Sequence, residues 1–271
     1  MKTYQDDFIQ ANGIRIHYYR STPPEGGPTL LLLHGLTDNG MCWVCVADAL
    51  RSSFDLVMPD TRGHGLSDKP VTGYTIEDRA ADVAGLIDVL SLDRPVLFGH
   101  SLGGQAAMAV AALYPDKVGG VVLEDPAWFD PSDEKEEGEE NAQRWRSELL
   151  DHQRLDRAAL IAECSQKNPG WHKDEVSTWA DSKHQMSDAA LVKILVSMRG
   201  GWREFVRMAS CPILLVTGNP ERGAIITPEM VRECSSLWKQ GQEAHIPGAG
   251  HCIHRDRFGL YMKKVKTFLG S

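Results

Sequence analysis

Five short runs in this chain are apolar at nearly every position, and each is followed within two residues by a glycine, a histidine or an acid. They are Thr29-Leu30-Leu31-Leu32-Leu33 before His34-Gly35, Phe54-Asp55-Leu56-Val57-Met58 before Pro59-Asp60, Pro95-Val96-Leu97-Phe98 before Gly99, residues 118–123 before Glu124-Asp125, and Pro212-Ile213-Leu214-Leu215-Val216 before Gly218. A strand that alternates polar and apolar residues buries one face. A strand apolar throughout is buried on both, as when helices cover both sides of a parallel sheet. Between these runs, residues 78–90 and 104–114 carry Ala and Leu at helical spacing. The order strand, helix, strand predicts an α/β fold with a mostly parallel central sheet flanked by helices. Gly13-Ile14-Arg15-Ile16-His17-Tyr18-Tyr19 alternates and reads as a half-buried strand, and Glu243-Ala244-His245-Ile246-Pro247 reads as the last one.

From about Pro126 to Met208 this rhythm stops. Residues 141–164 and 187–198 read as amphipathic helices, and five of the seven tryptophans (128, 145, 171, 179 and 202) fall there. The expected organisation is therefore a core of residues 1–125 and 209–271 with a helical cap inserted at 126–208. Individual tryptophans there either hold the cap's own small core together or line a substrate pocket. Within the cap, residues 130–140 carry seven acids and one lysine, the pattern of a solvated segment rather than a cation site.

The formal net charge of -8 disfavours phosphate backbones and anionic lipid surfaces, so nucleic acid and membranes are not expected partners. Met1-Lys2-Thr3-Tyr4-Gln5-Asp6-Asp7 lacks the apolar core of a signal peptide, and no apolar run reaches membrane-spanning length. The chain reads as soluble and cytoplasmic. Its six cysteines are accordingly expected as reduced thiols, and Cys42-Trp43-Val44-Cys45, with apolar neighbours and no second pair at metal spacing, reads as helix packing.

Gly99-His100-Ser101-Leu102-Gly103 puts a serine between a buried strand and a helix, with glycines that let the backbone bend tightly. The free N–H groups at such a helix start suit a developing oxyanion. A serine hydroxyl needs a base to take its proton. Of ten histidines, His251 stands out at the end of Gly248-Ala249-Gly250-His251, with His245 and His254 as competitors.

Leu30–Leu33 with His34-Gly35-Leu36, Asp60-Thr61-Arg62-Gly63-His64-Gly65-Leu66-Ser67-Asp68-Lys69-Pro70, Gly99–Gly103 and Gly248–His251 come in the order seen in the α/β-hydrolase superfamily, which the chain resembles over nearly its whole length outside the insertion. The resemblance implies Ser101 as nucleophile, His251 as general base and then acid, and the backbone N–H groups of Leu36 and Leu102 as oxyanion hole. Asp60 and Arg62 are expected to fix their loop, and His100 to be a packing or pocket-wall residue. Family members place the triad acid at one of two strand ends. Here these offer Asp125, after residues 121–124, or Glu221, in Gly218-Asn219-Pro220-Glu221-Arg222. Alternation sends Glu124 and Asp125 to opposite sides, and Pro126 restrains the backbone of Asp125, so Asp125 is preferred and Glu221 is the alternative.

The resemblance implies a serine hydrolase of carboxylic esters or lactones, acyl-homoserine lactones included, similar to small capped esterases and lactonases of this fold. Its expected partner is a small-molecule ester or lactone, and the chemistry calls for no metal or organic cofactor. Relatives that attack with aspartate, the haloalkane dehalogenases and epoxide hydrolases, are excluded by Ser101. Carbon-carbon bond hydrolases and cofactor-free perhydrolases keep the serine and stand as the alternative, and a ligand-binding receptor on the same fold is a further one.

Overall fold

The computed structural model describes residues 4–21, 27–129, 135–198 and 200–270. The first half of the chain gives β1 (Gln5–Ala11), β2 (Ile14–Arg20), β3 (Thr29–Leu33), α1 (Val44–Leu50), β4 (Asp55–Pro59), α2 (Ile76–Val89), β5 (Val96–His100), α3 (Leu102–Leu113) and β6 (Gly120–Glu124). Then come α4 (Lys135–Arg154), α5 (Arg157–Lys167), α6 (Lys173–Gln185), α7 (Asp188–Ser197) and α8 (Trp202–Met208). The chain closes with β7 (Ile213–Thr217), α9 (Pro228–Leu237), β8 (Gly241–His245), α10 (Ile253–Asp256) and α11 (Phe258–Leu269).

The eight strands form one sheet in the order β1-β2-β4-β3-β5-β6-β7-β8. β1 and β2 pair antiparallel, β2 meets β4 antiparallel, and every other neighbour is parallel. The apolar runs occupy β3 to β7, and Leu30, Leu31, Leu32 and Leu33 are all fully buried. Alternate residues face two separate cores. Leu31, Leu33, Leu97 and Leu123 pack with α2, α3 and α8, while Leu30, Leu32, Phe98 and Val122 pack with α1 and α11. This two-sided burial is why the strands show no alternation.

Three details differ from expectation. β1 was not anticipated: Gln5–Ala11 is mostly exposed and is a strand because it pairs along its length with β2. The single helix expected over 141–164 is broken near Leu155, where Asp156 caps α5 by accepting the Ala159 N–H at 2.8 Å. α6 was also unanticipated, because its sequence is polar and the residues it buries include Glu175, Thr178, Ser182 and Lys183.

α4 to α7 sit over the loops that leave the carboxyl ends of the strands. Ser187 N–H donates to Gly63 O, Asn39 Nδ2 to Gln185 Oε1, and Trp171 Nε1 to Asp256 Oδ1. α8 packs on α3, where Trp202 stacks on Trp128 with ring centres 5.0 Å apart. The acidic stretch 130–140 lies partly outside the described residues, and its second half opens α4. The described cysteines are free thiols, and Cys42 and Cys45 flank the start of α1. Among the described residues no helix is long and apolar enough to cross a membrane.

Candidate active site

Ser101 occupies the turn between β5 and α3, with φ +52° and ψ -114°. This is a strained conformation for a residue with a Cβ, and it lifts the hydroxyl off the end of the sheet. The strain is held from both sides. Ser101 N–H donates to Glu124 O, and Ser101 O accepts from Gln105 N–H and Ala127 N–H, all at 3.0 Å. A Cβ at Gly103 would collide with the Leu33 carbonyl, and one at Gly99 with the Gly103 carbonyl, so both positions are closed to side chains. Ser101 itself is 7% exposed.

His251 lies in the loop between β8 and α10. Its Nδ1 donates to Asp125 Oδ2 at 2.6 Å. Asp125 is fully buried at φ +38° and also accepts the Ile225 N–H on Oδ2 at 2.8 Å and the Ile226 N–H on Oδ1 at 2.9 Å. Three donors therefore meet a fully buried carboxylate, which fixes the plane it offers to the imidazole. Glu221 stands exposed on the short turn Pro220–Arg222, accepting from Asn219 Nδ2 at 2.6 Å. Among the described residues the acid brought to His251 is Asp125.

The alternation at the end of β6 has a second consequence. Glu124, also fully buried, turns to the opposite side and accepts His254 Nδ1 at 2.8 Å and the His254 N–H at 2.9 Å. Burial opposes charge on both partners. Their mutual attraction outweighs it, holding Glu124 at about 2 and raising His254 above its ordinary value. Two adjacent acids thus hold two histidines three residues apart. His245, the other competitor, is an exposed residue at the end of β8.

His100 joins the turn that carries Ser101 to the loop that carries His251. Its ring centre lies 4.7 Å from that of His251, and its Nε2 donates to the His251 carbonyl at 3.0 Å. Burial, and next to it the neighbouring His251, push His100 down to about 3, so the ring is a neutral donor and not a second base. On its other side Gly35 approaches so closely that a Cβ there would lie 2.7 Å from His100 Nδ1 and 3.5 Å from Ser101 Cβ. The turn after β3 is thereby laid beside Ser101. Leu36 and Leu102 belong to one apolar cluster with Leu149, Met186 and Leu191 from the helices above. Among the described residues neither the Leu36 nor the Leu102 N–H has a backbone acceptor.

Asp60 holds its loop by accepting from Gly40 N–H at 2.8 Å, Leu66 N–H at 2.9 Å and His17 Nδ1 at 2.8 Å, and Arg62 pairs with buried Asp82. A cavity of about 140 Å³ opens between α4 and α6, lined by Trp145, Leu149, His152, Trp179 and Lys183, and reaches Thr37, the residue after Leu36. Two of the five tryptophans therefore face a cavity next to the site, whereas Trp128 and Trp202 pack in the core. The Ile225 and Ile226 donors and the Glu124–His254 pair carried no sequence signal, since each depends on contacts across 100 residues or more.

A family model described as the alpha/beta hydrolase fold matches residues 28–258. The chain is 31% identical over 259 residues to 2-(acetamidomethylene)succinate hydrolase of Mesorhizobium japonicum, covering 90% of this chain and 89% of that one. It is 28% identical to N-formylmaleamate deformylase of Pseudomonas putida, covering 96% and 95%. The crystal structure of E-2-(acetamidomethylene)succinate hydrolase superposes with a TM-score of 0.85 at 27% identity, over 99% of this chain and 100% of that chain.

Proposed function

The chain belongs to the α/β-hydrolase family, and from that premise we propose that it is a serine hydrolase which transfers an acyl group to Ser101 and then to water. The observation that carries this reading is the His251–Asp125 pair, its carboxylate held by three donors, whose loop is tied through His100 to the strained turn that carries Ser101. A binding protein has no need of that combination.

In this reading Ser101 Oγ attacks the substrate carbonyl carbon while His251 Nε2 accepts its proton. The carbonyl oxygen becomes an oxyanion and takes hydrogen bonds from the Leu36 and Leu102 N–H groups. Asp125 holds His251 in the tautomer that presents Nε2 and steadies the imidazolium. His251 then gives the proton to the leaving atom, the bond to the acyl carbon breaks, and an ester on Ser101 remains. Water, deprotonated by His251, attacks that ester, and the acid and the free serine are regenerated.

For the substrate we infer an acyl group carried on the nitrogen of a small unsaturated carboxylic acid. Two relatives that span nearly the whole chain are named for 2-(acetamidomethylene)succinate and N-formylmaleamate, neither an ester nor a lactone. They favour the alternative expected from sequence, a carbon-carbon bond hydrolase or cofactor-free perhydrolase on the same residues, over the carboxylic ester, and their names point to an N-acyl substrate. A nitrogen whose lone pair is also drawn into a second carbonyl, directly or through a double bond, leaves more readily than a peptide nitrogen.

Release of formate or acetate from N-formyl and N-acetyl enamides of small dicarboxylic acids, run beside p-nitrophenyl esters and acyl-homoserine lactones, tests this. The N-acyl compounds are expected to give the highest kcat/KM, lost in Ser101→Ala. Turnover of esters or lactones with none of the N-acyl compounds would return the reading to an esterase or lactonase.

A further inference from the structure

Leu36 is followed by three residues that are each tied to the last turns of α6. Lys183 Nζ donates to Thr37 O and to Thr37 Oγ1, both at 2.9 Å, and lies 3.4 Å from Asp38 Oδ1. Asn39 Nδ2 donates to Gln185 Oε1 at 2.8 Å. Thr37 sits at φ +63°, a conformation that a β-branched residue keeps only when its surroundings impose it. The Lys183 side chain is 3% exposed, with its ammonium 4.7 Å from the centre of the Trp179 ring. An ammonium has three donor directions, and here all three point at the turn.

The charge on Lys183 is compensated by a buried chain of ions. Arg255 Nη2 donates to the second oxygen of Asp38 at 2.9 Å, and Arg255 Nε to Glu175 Oε2 at 3.3 Å. Glu175 lies two turns before Lys183 on α6, and its Oε1 accepts the Cys45 N–H at 3.3 Å. Two cations thus face two anions, so nothing in the quartet calls for an external ligand. Burying four charges is costly, and a hydrophobic contact would hold a helix as well. What the ions add is direction, since they fix where the backbone of residues 37–39 lies.

Resting on the proposed acyl-transfer reading, we propose that Lys183 is a positioning residue for the oxyanion hole, through which α6 holds the turn that presents the Leu36 N–H beside Ser101. The turn is gripped from below by Gly35 against His100 and Ser101, and from above by Lys183 and Gln185. The oxyanion donor is therefore complete only while α6 is docked. Lys183 touches no reacting atom and acts through Thr37.

Lys183→Met keeps the unbranched stem up to Cε and removes the ammonium donors, leaving Asp38 paired with Arg255. Steady-state hydrolysis of p-nitrophenyl acetate and inhibition by phenylboronic acid, whose tetrahedral adduct on serine mimics the oxyanion, are measured for the wild type, Lys183→Met and Lys183→Gln. Displacing a catalytic donor by about 1 Å costs roughly 10²-fold. The expected result is a fall in kcat of that order in Lys183→Met with KM unchanged, a parallel weakening of phenylboronic acid, and a smaller loss in Lys183→Gln, which keeps a donor for Thr37.

Wild-type kcat and phenylboronic acid affinity in a folded Lys183→Met, or a loss confined to KM, overturns the proposal. Should methionine prevent folding, Lys183→Gln decides: a lowered kcat with weakened phenylboronic acid supports the proposal, and wild-type values for both overturn it. Ser101→Ala is run alongside. Turnover that survives Ser101→Ala overturns the acyl-transfer reading, whereas turnover lost in Ser101→Ala but untouched in both Lys183 variants overturns the role of Lys183 alone.

Discussion

Asp125 Oδ2 lies 2.6 Å from His251 Nδ1, and the same oxygen accepts the Ile225 N–H at 2.8 Å. The carboxylate is thus clamped in the plane that holds the imidazole, at the end of a strand where its neighbour Glu124 points the other way. Asp125→Asn would offer His251 an amide in place of the acceptor and favour the wrong tautomer. Replacing a triad acid in this way costs about 10⁴-fold in kcat. Asp125→Asn is expected to lose activity on that scale, while Glu221→Gln stays near wild type, as measured by acyl-substrate turnover. The reverse pattern would move the acid to Glu221.

The Glu124–His254 pair predicts a pH window for stability. Glu124 is held at about 2, below its ordinary 4.5, so its contribution is complete above 4.5 and lost as pH falls toward 2. His254 is raised above its ordinary 6.5, so its contribution is complete below 6.5 and lost as pH rises through the raised value. The pair therefore stabilises most between 4.5 and 6.5. Removing one member of a buried pair costs about 3–5 kcal/mol. Thermal unfolding of the wild type and Glu124→Gln should differ most inside that window, and a difference independent of pH would sink this account of the pair.

Two glycines give opposite predictions. At Gly103 a Cβ would meet the Leu33 carbonyl, so Gly103→Ala should destabilise by about 1–3 kcal/mol or more. Gly259 lies in α11 with nothing within 4 Å of its added Cβ, so Gly259→Ala should stabilise by up to about 1 kcal/mol. Urea denaturation of both variants reads the two signs, and a neutral Gly103→Ala would mean that the turn under Ser101 is loose enough to admit a Cβ.

The parts of this site legible in sequence are those written in local patterns. Apolar runs without alternation gave β3 to β7, and a serine between two glycines after one of them gave the strand-to-helix turn at Ser101. The preference for Asp125 rested on alternation along β6, a property of backbone geometry. β1 escaped because Gln5–Ala11 owes its strand state to pairing with β2 and has almost no buried face of its own. α6 escaped for a related reason: it docks through Glu175 and Lys183, whose partners Arg255 and Asp38 lie 80 and 145 residues away. A buried ion pair leaves no periodic apolar signal, so the residues tying the helix to the turn after Leu36 read as an ordinary polar surface.

The central claim, that Ser101 is an activated nucleophile, is tested most directly by intact-protein mass spectrometry after exposure to a fluorophosphonate. The account predicts one adduct per folded chain, mapped to the peptide that contains Ser101 and absent from Ser101→Ala. A folded wild-type protein that takes no adduct, or an adduct that persists in Ser101→Ala, would contradict it and leave a hydrolase fold used for binding.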